Sequence, residues 1–325
     1  MDHEAERSYV ASSILPAMGL SDRSFVVEPP ADAGTRSAIR LIRIDGLPPL
    51  LMRTHTHRRQ ATATMEALRH LESLALPAPR LVYHDIRLRS RLAGGDPFVT
   101  VETWIDGRRL SSLDGETSRD AAIKVAVLLA RFHRVTREGW GPPRGARYVS
   151  FETSALQAKR RMLRELKAGG WFPPQEAADL EAGFSSWRET IAALGPFSLV
   201  HSDANRHNII LTPAGEVCPV DLQRLNYEPF QEELINALYH HCRKDGDLAD
   251  RFVHTYFSHA GAAARERFET TRKFFEPLHY LKKMYRRFRQ QAPGPEDAKM
   301  NQWGAIVRGL EPPAPRAAVA TSAGR

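Results

Sequence analysis

The pattern of apolar and polar positions changes near residue 103. Before it, short apolar runs alternate with turn residues; after it, long stretches repeat apolar positions at helical spacing. Residues 24–27 form a short β-prone run. Residues 38–44 and 50–53 follow, separated by the turn Asp45-Gly46-Leu47-Pro48-Pro49, which predicts a small antiparallel meander. Residues 59–74 carry Met65, Leu68, Leu71 and Leu74 at helical spacing, and Pro77 and Pro79 stop that helix. Two further strands are predicted over 80–84 and 97–103. An amphipathic helix ending near Gly19 precedes the first strand.

The second part reads differently. Residues 118–137 are helical, with Ser118 as an N-cap and Ile123, Val127, Ala130 and Phe132 on the apolar side. Helices are predicted over 151–167, 175–194, 230–242, 248–259 and 264–289. Between them lie the apolar segments 198–200 and 209–211, the turn Thr212-Pro213-Ala214-Gly215, and a strand over 217–220 that ends at Asp221. The expected class is α+β: a sheet-bearing region over 1–103, a mainly helical region over 104–311, and a Pro/Ala-rich tail over 312–325 expected to be disordered.

Composition narrows the setting. The chain has 325 residues, 42% of them hydrophobic, which suits two domains with proper cores. Its two cysteines, Cys218 and Cys242, make no disulfide framework. The first residues, Met1-Asp2-His3-Glu4-Ala5-Glu6, lack an apolar leader core, and no apolar run approaches the roughly 18 residues of a membrane span. The expectation is a soluble cytoplasmic protein. The net charge of +8 comes partly from basic helical runs such as Lys159-Arg160-Arg161 and the stretch from Lys282 to Arg289. No nucleic-acid motif accompanies them, so a solvated face or attraction of nucleotide phosphates is the preferred reading.

Chemistry concentrates in His201-Ser202-Asp203-Ala204-Asn205-Arg206-His207-Asn208, followed by Asp221. Asp203 and Asn208 fall on a loop between strands, and Asp221 falls where a strand ends; such loops on rigid scaffolds carry catalytic side chains. Phosphoryl transfer asks a protein for positioning and charge neutralisation. Asp203 is the candidate to orient or accept the acceptor proton. Asn208 and Asp221 offer the oxygen donors that Mg²⁺ prefers beside phosphates. Four residues separate Asp203 from Asn208, and Asp221 comes thirteen after Asn208, the spacing of a protein-kinase catalytic loop and its metal-binding Asp.

This stretch, with Val220-Asp221-Leu222-Gln223, resembles the aminoglycoside-phosphotransferase-like family of small-molecule kinases, which includes choline-kinase types. Ser202 stands where that family usually has Gly. The resemblance implies a protein-kinase-like two-lobed fold, ATP and Mg²⁺ as cofactors, Asp203 as the catalytic residue, and Asn208 and Asp221 as metal ligands. It further implies a phosphate-contacting cation at Arg53, where the family has Lys, with a partner carboxylate from the following helix: Glu66 first, Glu72 second. The loop over the ATP phosphates would lie near Ser21 to Ser24, between two early strands. The strand from Phe98 through Glu102 to Trp104, and on to Gly107, resembles the family's hinge, whose backbone would bind adenine. His133 reads as a packed structural histidine. The helices after residue 151 would help form the acceptor pocket; Trp171, Phe172 and Trp187 either line it or, as is commoner for aromatics, pack in the core. Glu232 or Glu233 would serve the acceptor or simply the helix N-terminus.

The alternating His55-Thr56-His57 and the run His240-His241-Cys242 do not have the spacing of a zinc site. The expected function is therefore transfer of the γ-phosphate to a hydroxyl of a small molecule: an aminoglycoside-like antibiotic, an amino alcohol, a sugar or an amino acid. Two rivals are a nucleotide-binding pseudokinase that regulates a protein partner and a basic-surface protein that binds nucleic acid or lipid.

Overall fold

The computed structural model describes residues 3–30, 38–86, 98–147, 149–242, 245–290 and 298–311. The expected tail lies outside these residues. The N-terminal segment forms α1 (His3–Tyr9), a π-helical turn (Val10–Ile14) and α2 (Leu15–Ala17). The sheet that follows contains β1 (Phe25–Glu28), β2 (Ala38–Ile44) and β3 (Leu50–His55). After α3 (Arg58–Ser73) come β4 (Leu81–Asp85) and β5 (Phe98–Thr103). The spatial order is β1-β2-β3-β5-β4, with every neighbouring pair antiparallel.

Alternation along these strands builds the smaller core. Val27, Ile42, Ile44, Leu50, Met52, Val99 and Val101 meet Tyr9, Val10, Ile14 and Leu15 of the N-terminal helices. Those helices are also locked by polar contacts: Arg40 Nε donates to the fully buried Glu6 at 2.5 Å, and the Tyr9 hydroxyl donates to Asp85 at 3.0 Å. α3 turns the other way. Its Ala67, Leu68 and Leu71 join the larger core of the helical lobe, so this one helix ties the two lobes together.

The helical lobe begins with β6 (Arg108–Arg109) and α4 (Gly115–His133), then β7 (Thr136–Arg137). Next come α5 (Phe151–Ala168), α6 (Pro174–Ser186) and α7 (Arg188–Ala192). The strands β8 (Phe197–Val200), β9 (Ile209–Leu211), β10 (Val217–Pro219) and β11 (Asn226–Glu228) bracket the site region. The chain finishes with α8 (Phe230–Ala237), α9 (Gly246–Ala260), α10 (Ala262–Arg289) and α11 (Ala298–Arg308). Two small sheets, β10-β9-β6 and β11-β8-β7, hold the loops that carry Asp203 and Asp221. Gly107 explains its own identity here. Its φ is +140°, and a Cβ would lie 2.2 Å from the Leu211 carbonyl oxygen, so a side chain would push β6 off β9.

Three expectations need correcting. The helix predicted over 175–194 breaks at Trp187 into α6 and α7, and the helix over 230–242 ends at Ala237 in a π-helical turn, Leu238–Cys242. The expected phosphate loop, Ser21 to Ser24, does not lie between two strands. It precedes β1, and the Ser24 carbonyl accepts from the Asp45 amide at the β2–β3 turn. Arg53 pairs with Ile39 in the register, six residues along β2 from Asp45, so Ser24 sits about 20 Å down the sheet. The connection from β1 to β2 opens at the Arg53 end instead; its residues 31–37 lie outside the described residues.

Candidate active site

Asp203 follows β8 on a loop with little freedom. His201 and Ser202 donate their backbone amides to the two oxygens of Glu233, at 3.0 and 2.6 Å. Glu233 is fully buried in α8 and also bonds His133 Nε2 at 3.0 Å, whose Nδ1 bonds the Tyr256 hydroxyl at 2.7 Å. Burial alone would raise the Glu233 pKa. The hydrogen bond and charge of His133, then His201, outweigh that and hold it below the usual carboxylate range. A single buried carboxylate thus fixes the entry to the loop.

Ser202 keeps the conformation that glycine would take there. Its φ is +64°, left-handed backbone that costs a non-glycine residue about 1–2 kcal/mol. The bond from its amide to Glu233 holds it in place. Further on, Arg206 reaches back to the Leu110 and Leu113 carbonyls at 2.6 and 2.8 Å, and His241 Nε2 bonds the Ala204 carbonyl at 2.8 Å. Burial lowers the His241 pKa to about 4, so this ring is neutral at physiological pH.

Asn208 Nδ2 donates to the Asp203 carbonyl at 3.0 Å, which orients the amide plane within the loop. The Asn208 carbonyl accepts from Val220, and His201 Nε2 bonds the Val220 carbonyl at 3.0 Å, so the segment carrying Asp221 is laced to the segment carrying Asp203. Asp221 itself takes the left-handed conformation, φ 62° and ψ 55°. Its side chain is 37% exposed, open enough to meet a ligand.

Arg53 brings the sheet lobe to this point. Its Nε donates to Glu102 at 3.0 Å, and its Nη1 lies 3.9 Å from Asp221. Burial opposes the guanidinium charge, but Glu102 and then Asp221 more than offset it and raise the pKa. The carboxylate paired with Arg53 therefore comes from β5 and not from α3. Glu66 is engaged elsewhere, by Arg144 at 3.0 Å. The hinge is also partly committed: the Thr103 amide donates to Arg80 and the Trp104 amide to Pro49, at 2.9 and 3.1 Å. His55, two residues beyond Arg53 on β3, bonds Thr100 Oγ1 at 2.9 Å; burial and the Arg53 charge lower its pKa to about 4.

The fold thus gathers Asp203, Asn208, Asp221, Arg53 and Glu102 at the junction of the lobes and leaves Ser24 outside. Glu66 instead lines an adjoining cleft of about 790 Å³ with Ser202 and Arg224. Arg224 Nη1 stands 3.8 Å from Asp203 Oδ2, and Asn205 Nδ2 donates to Asp203 Oδ1 at 2.9 Å. Sequence reasoning missed Glu233 as the anchor of the loop; an acidic residue in a first helical turn gave only an acceptor or a dipole reading. It also missed Arg224, which lies three residues after Asp221 and could have been found by that spacing.

A model of the phosphotransferase enzyme family matches residues 29–269. No curated protein matches the sequence. Among solved structures, aminoglycoside phosphotransferase APH(4)-Ia superposes with a TM-score of 0.63 at 15% identity, over 95% of this chain and 99% of that one. A thermostable variant of it, solved with ADP and hygromycin B, gives 0.61 at 15% identity, over 93% and 98%. Choline kinase LicA from Streptococcus pneumoniae gives 0.56 at 16% identity, over 95% and 99%. At these identities the likeness establishes the shared two-lobed fold.

Proposed function

The chain belongs to the phosphotransferase enzyme family, and on that premise we propose that it moves the γ-phosphoryl group of ATP to a hydroxyl of a small molecule. The observation that carries this reading is the convergence of Asp203, Asn208 and Asp221, laced together through the Val220 backbone, with Arg53 3.9 Å from Asp221. Structures of related fold hold ADP or AMP-PNP, which supports a nucleotide site of the same kind here. We propose that the lobes divide after Thr103.

In this reading the acceptor oxygen forms a bond to the γ-phosphorus while the bond from that phosphorus to the β–γ bridging oxygen breaks, leaving ADP. Asp203 orients the hydroxyl and takes its proton. It suits the role because Asn205 Nδ2 holds one carboxylate oxygen at 2.9 Å while a third of its side chain stays open to solvent. Arg53 neutralises phosphate charge; its planar guanidinium, held by Glu102, is pre-set to face the nucleotide. Asn208 and Asp221 fit Mg²⁺, since one carboxylate and one amide oxygen are the hard donors that ion accepts beside phosphates. When bound there, the ion would offset the charge of the triphosphate.

Arginine at position 53, where the family has lysine, favours one rival, a protein that binds nucleotide without turnover. The two readings part on a direct test. With γ-labelled ATP, Mg²⁺ and a pool of hydroxylated small molecules, the label should leave ATP and appear on an acceptor. Nucleotide binding with no label transferred to any acceptor would favour the rival.

A further inference from the structure

Two cations of α10, Lys283 and Arg286, act electrostatically near the Asp203 loop. His241 Nε2 holds the Ala204 carbonyl at 2.8 Å, so the π-helical turn Leu238–Cys242 abuts the loop directly. α10 packs against the same turn: Lys283 Nζ lies 3.8 Å from the centre of the Tyr239 ring. Asp203, Lys283, Arg286 and His207 all act electrostatically on His240, and Lys283 feels both Asp203 and Arg286. Lys282 is satisfied by Glu232 at 2.6 Å. Among the described residues, no carboxylate lies within ion-pairing distance of Lys283 or Arg286. The Arg53 guanidinium couples to Asp221, and Lys283 couples to Asp203, so the two cations act on different carboxylates of the site. The cleft on the Arg224 side repeats the bias, with Arg58, Arg59, Arg147 and Arg224 against Glu66 and Glu228.

The geometry points to an acceptor that carries an anionic group, a carboxylate or a phosphate, seated on Lys283 and Arg286 beside Asp203; this rests on the kinase reading above. Two cations with no carboxylate partner among the described residues attract a negative charge and repel an ammonium, at about tenfold or more in affinity per close pair. Tyr239, Tyr280 and Trp303 form an aromatic cluster nearby that could otherwise hold a quaternary ammonium. Two of those faces are already taken by the protein's own cations, Lys283 on Tyr239 and Arg287 at 5.7 Å from Trp303.

The test uses the full chain, its Lys283→Gln/Arg286→Gln variant and a Lys283→Arg control. Glycerate, glycerol 3-phosphate, glycerol, choline and kanamycin are each titrated in two assays. One reads binding to the Mg²⁺–ADP-loaded protein by thermal shift, the other ADP release from Mg²⁺–ATP. Glycerate or glycerol 3-phosphate should bind, and the double substitution should weaken that binding about tenfold to a hundredfold. Lys283→Arg should stay within about threefold of the parent, because it keeps the charge. Which of the two anions binds tells carboxylate from phosphate. Preference for choline or kanamycin, no binding of either anion, or anion binding untouched by the double substitution would each overturn the inference. Charge-dependent anion binding without ADP release from any acceptor would leave the anion site standing and sink the kinase reading instead.

Discussion

Arg53 Nε donates to Glu102 Oε1 across 3.0 Å, so the cation of β3 is held by a carboxylate on β5, its neighbour in the same sheet. Both side chains are largely buried, 13% and 4% exposed. Glu102→Gln should therefore cost about 2 kcal/mol of stability, since it leaves a buried guanidinium short of a counter-charge. The freed Arg53 would lean on Asp221, and nucleotide affinity should fall about tenfold. Denaturant melts and ADP titrations read both effects. An unchanged melt with unchanged affinity would show that the pair does not position Arg53.

Glu233 makes a second, sharper claim. Glu233→Gln keeps the shape but presents an NH₂ group where two backbone amides need an acceptor. We expect a loss of about 3 kcal/mol in stability and a drop in kcat with little change in nucleotide KM, as befits a group that positions the loop. The pH dependence has a definite sign. The folded pKa lies below the ordinary carboxylate value of about 4.3. The stability Glu233 contributes is therefore present above that value and is lost as pH falls through its own lower pKa. Acid melts of the parent and of Glu233→Gln should converge at low pH; parallel curves throughout would contradict this.

The chain announced its candidate site more clearly than the supports of that site. The loop from His201 to Asn208 and the segment at Asp221 were legible because charged and amide residues at fixed spacing interrupt apolar strands. The five strands of the first lobe followed from short apolar runs broken by turns, and α3 from Met65, Leu68 and Leu71. The pairing of Arg53 was not legible, because Glu102 is distant in sequence and only the β3–β5 register brings it close. Ser24 was misplaced for a related reason: periodicity finds strands but does not say which end of a strand faces the site. The break at Trp187 was hidden because α6 and α7 are both helical, and a fully buried indole ends one and begins the other.

Asp221 and Asn208 are predicted to make nucleotide binding metal-dependent. In the parent, Mg²⁺ should raise the thermal shift produced by ADP. In Asp221→Asn most of that increment should vanish, while the metal-free shift should persist. An increment equal to the parent's would remove Asp221 from the metal site.

Lys283 gives the acceptor its own pH profile. Burial first, and then the Arg286 charge, lower its pKa to about 8, against the opposing pull of Asp203; Tyr239 covers it from the π-helical turn, with His240 beside it. It is protonated below that value and neutral above it. KM for an anionic acceptor should therefore rise as pH climbs through about 8 and stay flat below, and Lys283→Arg should move the rise upward. A flat profile in the parent across this range would contradict the assignment.

The central claim rests on Asp203, and one comparison tests it most directly: acceptor-dependent ADP release by the parent and by Asp203→Asn, with ATP affinity measured alongside. The account predicts that release falls by about a thousandfold or more, while ATP binds within about threefold of the parent, because the amide keeps the shape but cannot take the proton. Release in the variant equal to the parent's would contradict it.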